Sequence, residues 1–307
     1  MESGEFKMSE IKNKSRLRRT MMFLNAQRPS LMKDAYIFKP DSVMLDLEDA
    51  VAENQKDAAR FSLFHALTGV DYGNVERIVR INGLDTPHWK EDIRVSVAGG
   101  ADGIRIAKCE RAQDVLDVEA AIIEAEKEFN REGTLIMAAI ESPRGVINAL
   151  TICEASERLF GVAISGGDFR KAMQTKYFPS GVEMQAARGQ ILLAARAAGV
   201  QCFDTVFTNI DDVEGFRAET LLIKEMGFDG KSIVSPRQIA ITHEIFTPTE
   251  KEIREAERVV ETIRENTAKG IGVFTLDGKM LDVAFLPGAE RTLLLAKAAG
   301  SYKGDLV

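Results

Sequence analysis

Along the chain, short runs of apolar and β-branched residues alternate with longer stretches whose apolar positions recur every three to four residues. The short runs are 19–25 (RTMMFLN), 42–49 (SVMLDLED), 77–82 (RIVRIN), 103–108 (GIRIAK), 135–142 (LIMAAIES), 160–166 (FGVAISG), 202–207 (CFDTVF) and 231–236 (KSIVSP). Their near-continuous apolar character fits parallel strands covered on both faces. Between them lie helical patterns. Over residues 114–129, Val115, Val118, Ile122 and Ala125 share one face, with Glu and Lys opposite. Residues 184–198 stop at Gly199 and residues 220–226 at Gly227, glycine being a common helix terminator. Strand–helix alternation repeated eight times predicts an α/β fold, and the count favours a closed (β/α)8 TIM barrel over an open sheet.

After Pro236 the pattern changes. Thr249 and Glu252 form a capping-box signature, so a helix is expected to run to about Ala268 and stop near Gly270. A hairpin-like GVFTLDGKMLDVAF follows, with Asp277-Gly278 as its turn, and a last helix over about 288–299. The organisation expected is a polar N-terminal arm (1–16), a barrel catalytic domain (17–245) and a C-terminal helix, hairpin and lid extension (246–307). The extension is too short to be expected to build an independent core. The basic run Lys12, Lys14, Arg16, Arg18 and Arg19 reads as a solvated arm.

Composition narrows the function classes. A net charge of −7 over 307 residues argues against nucleic-acid binding, which needs a cationic face. No apolar run approaches membrane-spanning length, and the first 20 residues lack a signal-peptide core, so a cytoplasmic protein without membrane partners is expected. Cys109, Cys153 and Cys202 are odd in number and widely spaced, which fits reduced thiols. His65, His88 and His243 show no zinc spacing, so any metal is expected on oxygen ligands.

In such barrels the reacting groups sit where strands end. The second run ends in Asp46, Glu48 and Asp49, and the third carries Arg80. The fourth ends in Lys108, the fifth in Glu141-Ser142, and the sixth in Ser165-Gly166-Gly167-Asp168. The opposite strand ends carry fewer such groups. Several carboxylates on one rim repel unless a cation sits among them, and hard oxygen ligands plus water suit Mg²⁺ or Mn²⁺. Glu141 and Asp168 end adjacent strands and could reach one ion. The Ser165-Gly166-Gly167 turn offers backbone N–H groups to an anionic substrate. Ser142-Pro143 reads as a helix N-cap that would bring a positive helix end beside the metal. Arg80 offers a planar fork for a carboxylate or enolate oxygen. Taken singly, a strand-end acid is commonly a helix cap and a lone arginine a structural ion pair. The joint pattern is what points to a site.

The motifs ESPRG (141–145), DLEDAV (46–51), VRIN (79–82), GFDGKSIVSPRQI (227–239) and DGKMLD (277–282) resemble the citrate lyase/malyl-CoA lyase (HpcH/HpaI-like) family of metal-dependent barrel lyases. Within it, they resemble the beta-subunit branch of the bacterial citrate lyases. The resemblance covers nearly the whole chain. It implies Mg²⁺-assisted retro-Claisen cleavage of a (3S)-citryl thioester on an acyl carrier protein, giving oxaloacetate and the acetyl thioester. It implies Glu141 and Asp168 as metal ligands, Arg80 at the substrate, and Asp282 as a lid acid/base acting in a neighbouring subunit's site. It also implies acyl-carrier and transferase subunits as partners and a homo-oligomer, trimer or hexamer. A stand-alone lyase on malyl-CoA or citramalyl-CoA, or a non-catalytic assembly subunit, remain the alternatives. Three segments depart from the family pattern: FLNAQRP where a Pro-Gly loop is usual, IAK where Pro-Lys is usual, and SGGD where Gly-Ala-Glu/Ala-Asp is common. They flank the thioester arm and the oxo-acid end, so they bear on the substrate more than on the reaction type.

Overall fold

The computed structural model describes residues 16–307, so Lys12 and Lys14 of the expected arm lie outside the described residues. Each apolar run forms a strand: β1 (Thr20–Asn25), β2 (Ser42–Asp46), β3 (Glu76–Arg80), β4 (Gly103–Ile106), β5 (Leu135–Ile140), β6 (Leu159–Ile164), β7 (Gln201–Asp204) and β8 (Gly230–Ile233). Each strand pairs with the next, and β1 pairs parallel with β8, closing the barrel. The strands stop short of the apolar patterns: β2 at Asp46 rather than Asp49, β3 at Arg80 rather than Asn82, and β4 at Ile106 rather than Lys108. The polar tails leave the ladder and become the loops of the mouth. Helices Ala112–Phe129 and Val182–Ala197 match expectation. Helix Val213–Met226 begins well before Thr220, because the Asp212 carboxylate caps it by accepting from the Gly215 N–H at 2.8 Å.

Met21, Met44, Ile78, Leu135, Met137, Phe160, Ala163 and Phe203 pack into one buried cluster. The methionines and phenylalanines of the strands are therefore core packing. Side chains on a strand alternate between faces, so the residue two further along shares the inward face. Two residues beyond Met21, Met44, Ile78, Ala163 and Phe203 stand Phe23, Asp46, Arg80, Ser165 and Thr205, and all five line a single cavity.

The N-terminal end of the barrel also carries buried charge. There, however, the charges are matched. Arg18 is fully buried, not solvated. It donates to both Glu76 oxygens at 2.7 and 2.6 Å and to Gln201 Oε1 at 2.6 Å, and it lies over the Phe160 ring. Arg19 pairs with Asp41 in the same way. Among the described residues, the mouth holds Glu141 Oε2 and two Arg105 nitrogens without hydrogen-bond partners.

A second ionic cluster ties strands to helices. Asp204 is wholly buried and accepts from Arg188 at 2.8 and 2.9 Å and from Lys231 at 2.7 Å, and Lys231 also donates to Glu219 at 2.6 Å. The three cysteines are free and buried, as expected of reduced thiols, and burial pushes the Cys153 thiol up to about 12.

The chain divides into two compact units, Met1–Thr242 and His243–Val307. In the second, Thr249 and Glu252 form the capping box of helix Glu250–Ala268, and β9 (Val273–Leu276) pairs antiparallel with β10 (Lys279–Asp282). Asp277 and Gly278 both have positive φ, 52° and 77°, as a two-residue turn of this hand requires. Contrary to expectation, this unit has a small core of its own. Ile253, Ala256 and Val260 of one helix meet Leu293 and Ala296 of helix Leu286–Ala298, with Tyr302 alongside. Two facing apolar stripes supply what the length alone seemed too short to provide. Among the described residues no helix is long and apolar enough to cross a membrane.

Candidate active site

The last residues of β2 and β3 and the penultimate residue of β4 stand in one row. Asp46 is in register with Arg80, and Arg80 with Arg105. Arg80 donates to Asp46 Oδ1 and Oδ2 at 2.7 Å each, a bidentate fork, and its third nitrogen lies 2.9 Å from Glu48 Oε2. All three of its nitrogens thus hold carboxylates. The Asp46–Asp49 loop folds back so that Glu48 N–H donates to Asp46 Oδ1 at 3.0 Å, and the buried Lys56 amine donates to the Leu47 and Glu48 carbonyls. Burial pushes the Glu48 carboxyl up, against the pull of Arg80 and Lys108.

Lys108 links this row to the fifth strand. Its φ of 52° is a left-handed conformation that costs a non-glycine residue strain. The turn brings its N–H 3.3 Å from Glu141 Oε1 while its ammonium donates to Glu48 at 2.6 Å and reaches Asp49 at 3.5 Å. Partial burial works against its charge, but Glu48, Asp49 and more distantly Asp168 outweigh it and raise its pKa.

Glu141 follows β5 and is buried. One oxygen accepts the Lys108 N–H, and the other has no hydrogen-bond partner. Burial pushes its carboxyl up to about 7, against the pull of Arg105 and Arg80. The Ser142 hydroxyl caps the next segment as expected, accepting from Gly145 N–H at 3.2 Å, but that helix is only Pro143–Ile147 and brings a small dipole. Gly145 is required here, because a Cβ would lie 2.7 Å from the Cys109 carbonyl.

Ser165, Gly166, Gly167 and Asp168 lie at the start of helix Gly166–Ala172, with Asp168 half-buried in its first turn. The Ser165 N–H donates to the Ile140 carbonyl at 2.9 Å and the Gly166 N–H to Thr205 Oγ1 at 2.8 Å. Two of the amides expected to face an anion are therefore committed internally. A Cβ on Gly166 would meet Thr205 Oγ1 at 3.1 Å, whereas one on Gly167 would meet nothing within 4 Å, so the open side of the turn is at Gly167. Asp282 lies in the second unit, where its carboxylate accepts from Ala284 N–H at 2.8 Å.

A cavity of about 260 Å³ lies at this end of the barrel, lined by Asp46, Arg80, Arg105, Ser165, Thr205 and Ser232 among others. Arg105, Thr205 and Ser232 were missed in the sequence. The signal was there, since counting by twos from the core places Arg105 in phase with Asp46 and Arg80, but it falls before the strand end. Among the described residues no group of three or more His, Cys, Asp or Glu is arranged to hold a metal ion. The pair Glu141 and Asp168 fits a metal that keeps water and substrate as its other ligands: an orphaned, buried Glu141 oxygen is what a cation would satisfy.

A closed parallel barrel whose C-terminal mouth holds a carboxylate oxygen and an arginine without hydrogen-bond partners is the architecture of a barrel enzyme. The chain belongs to the HpcH/HpaI aldolase/citrate lyase family, whose model matches residues 19–236. It is 50% identical over 288 residues to the citrate lyase subunit beta of Leuconostoc mesenteroides subsp. cremoris, covering 93% of this chain and 95% of that one. It is 34% identical to a (3S)-malyl-CoA thioesterase of Cereibacter sphaeroides, covering 94% and 97%. A similar solved structure is CitE from Mycobacterium tuberculosis in complex with magnesium, acetoacetate and coenzyme A. It has a TM-score of 0.75 and 28% identity, and covers 93% of this chain and all of that one.

Proposed function

We propose that the barrel mouth cleaves a citryl thioester borne on an acyl carrier protein into oxaloacetate and the acetyl thioester. The chain is an oxo-acid lyase of its family. The observation that carries the site reading is the buried Glu141 carboxylate, one oxygen unpartnered, beside an arginine already locked to Asp46 and Glu48. The much higher identity to a citrate lyase beta subunit than to a malyl-CoA thioesterase supports the citryl substrate.

Glu141 and Asp168 would hold Mg²⁺, or Mn²⁺ in its place, and that ion would supply Lewis acidity toward the C3 hydroxyl. In the reaction the hydroxyl gives its proton to the Asp282 carboxylate, the bond between C3 and the thioester's α-carbon breaks, and C3 becomes the ketone of oxaloacetate. The bonding pair moves into a thioester enolate, which takes a proton at carbon to become the acetyl thioester. Arg80 keeps positive charge at the mouth where negative charge develops. Asp46 and Glu48 fix its orientation, and Lys108 holds Glu48 and the backbone beside Glu141. Ser165 and Gly167 border the substrate, and Gly166 supports them through Thr205. Asp282 is the acid that protonates carbon, in a neighbouring copy's site within a homo-oligomer. The partners inferred are the acyl carrier and transferase subunits of a citrate lyase complex.

The test is to offer the purified protein, with Mg²⁺, citryl, malyl and citramalyl thioesters, each on CoA and on a carrier protein. Keto-acid release is expected fastest from citryl carrier protein. Preference for a malyl or citramalyl CoA thioester would replace this reading with the stand-alone lyase, and no release from any would leave the assembly role.

A further inference from the structure

We propose that Arg105 anchors the second carboxylate of the oxo-acid half of the substrate and makes the site selective for a two-carboxylate product. This rests on the lyase reading above. It assigns the part of the site that chooses the acid, not the part that breaks the bond.

Arg105 is 1% exposed, yet its Nε and Nη1 have no hydrogen-bond partner. A buried guanidinium left so is costly, and proteins ordinarily pair it. This chain does so elsewhere, with Arg18 on Glu76 and Arg80 on Asp46. Of the nearby acids, both oxygens of Asp46 are held by Arg80, Glu48 is shared between Arg80 and Lys108, and Glu141 acts on Arg105 through its charge with no hydrogen bond between them. The Ser232 hydroxyl, buried in the same cavity, also lacks a partner. Two guanidinium nitrogens and one hydroxyl, on two residues that line the cavity of about 260 Å³, thus have no protein partner. The guanidinium carbon lies 5.2 Å from the centre of the Phe23 ring, a cation–π contact that holds the group without using its N–H donors.

This donor set matches a carboxylate. An oxo-diacid such as oxaloacetate carries one carboxylate beside its ketone and a second two carbons away from the first. The ketone end belongs with Glu141, Asp168 and their ion. The distal carboxylate needs a cation whose N–H donors are not already committed to carboxylates, which describes Arg105 and not Arg80. A mono-acid product such as pyruvate or glyoxylate has no group for Arg105 to hold.

The experiment is calorimetric titration of freshly prepared oxaloacetate and of pyruvate into the Mg²⁺-loaded full chain, for wild type, Arg105→Met, Arg105→Lys and Ser232→Ala, with thermal melts of each protein free of metal and oxo-acid. Wild type is expected to prefer oxaloacetate. Arg105→Met should weaken oxaloacetate roughly 10- to 100-fold and leave pyruvate unchanged. Arg105→Lys should recover part of the loss, and Ser232→Ala should weaken oxaloacetate alone. Unchanged oxaloacetate preference in Arg105→Met overturns the proposal. So does equal loss of both oxo-acids in Arg105→Met and Arg105→Lys with lowered melting, which marks a structural arginine. Failure of the lyase reading itself looks different, since wild type would then bind neither oxo-acid.

Discussion

Arg80 and Arg105 are register partners on adjacent strands, and their guanidinium carbons lie 5.1 and 5.2 Å from the centre of the same Phe23 ring. One is saturated with carboxylates; the other has two nitrogens without partners. Two like charges so close raise each other's cost, and Arg105 shows it: burial first, then Arg80, push its pKa down to about 10. The division of labour at the mouth follows from this asymmetry.

Arg80→Lys keeps a positive charge but cannot hold Asp46 through two parallel bonds and Glu48 through a third. Turnover of the preferred thioester should fall by about 10²-fold or more. Arg80→Met, which leaves Asp46 buried and unpaired, should also cost roughly 3–5 kcal/mol of stability. Steady-state kinetics and urea denaturation of the two variants check this, and a silent Arg80→Lys would make Arg80 purely structural.

Metal binding should register as stability, because a ligand that binds only the folded state shifts unfolding by mass action. At a hundred times its dissociation constant, Mg²⁺ should stabilise the wild type by about 2.7 kcal/mol. Glu141→Gln and Asp168→Asn should lose most of that gain together with cleavage. Melting curves across a Mg²⁺ series measure it, and an undiminished rise in both variants would remove these residues from the metal site.

Acid stability should depend on Asp204. Burial alone would raise its carboxyl, but Lys231 and Arg188 overcome this and hold it below the ordinary value of 3.8. A depressed folded-state pKa gives stability that is complete above the unfolded value and is lost as pH falls through the folded one. Asp204→Asn should cost roughly 3–5 kcal/mol at neutral pH, and its loss of stability on acidification should be shallower than that of wild type below about pH 4. Urea midpoints measured from pH 7 down to 3 give the comparison; parallel curves would contradict the assignment.

Asp282→Asn keeps an acceptor for the Ala284 N–H, so the turn after β10 should survive. Loss of turnover with unchanged melting would assign the carboxyl to chemistry. Mixing Asp282→Asn with Arg80→Ala protein should then restore activity if the acid serves a neighbouring copy, and no recovery would count against a shared site.

The eight strands, the capping box at Thr249 and Glu252 and the Asp277-Gly278 turn were legible in the sequence because each depends on neighbours a few residues away: side-chain periodicity, a cap, a turn conformation. The acids at the strand ends were legible in the same way, but only the family motifs single out Glu141 and Asp168 among them as the candidate metal pair. The pairing of those groups was not. That Arg80 is saturated, that Arg18 is a buried partner of Glu76, and that the tail builds its own core depend on contacts between residues far apart in the chain. Charge at the barrel's two ends looks unequal when residues are counted along the strands. Only closure of the barrel, which brings β2, β3 and β4 into register, shows that Arg18 and Arg19 are paired with Glu76 and Asp41 and that Glu141 and Arg105 at the mouth are left with unfilled bonds.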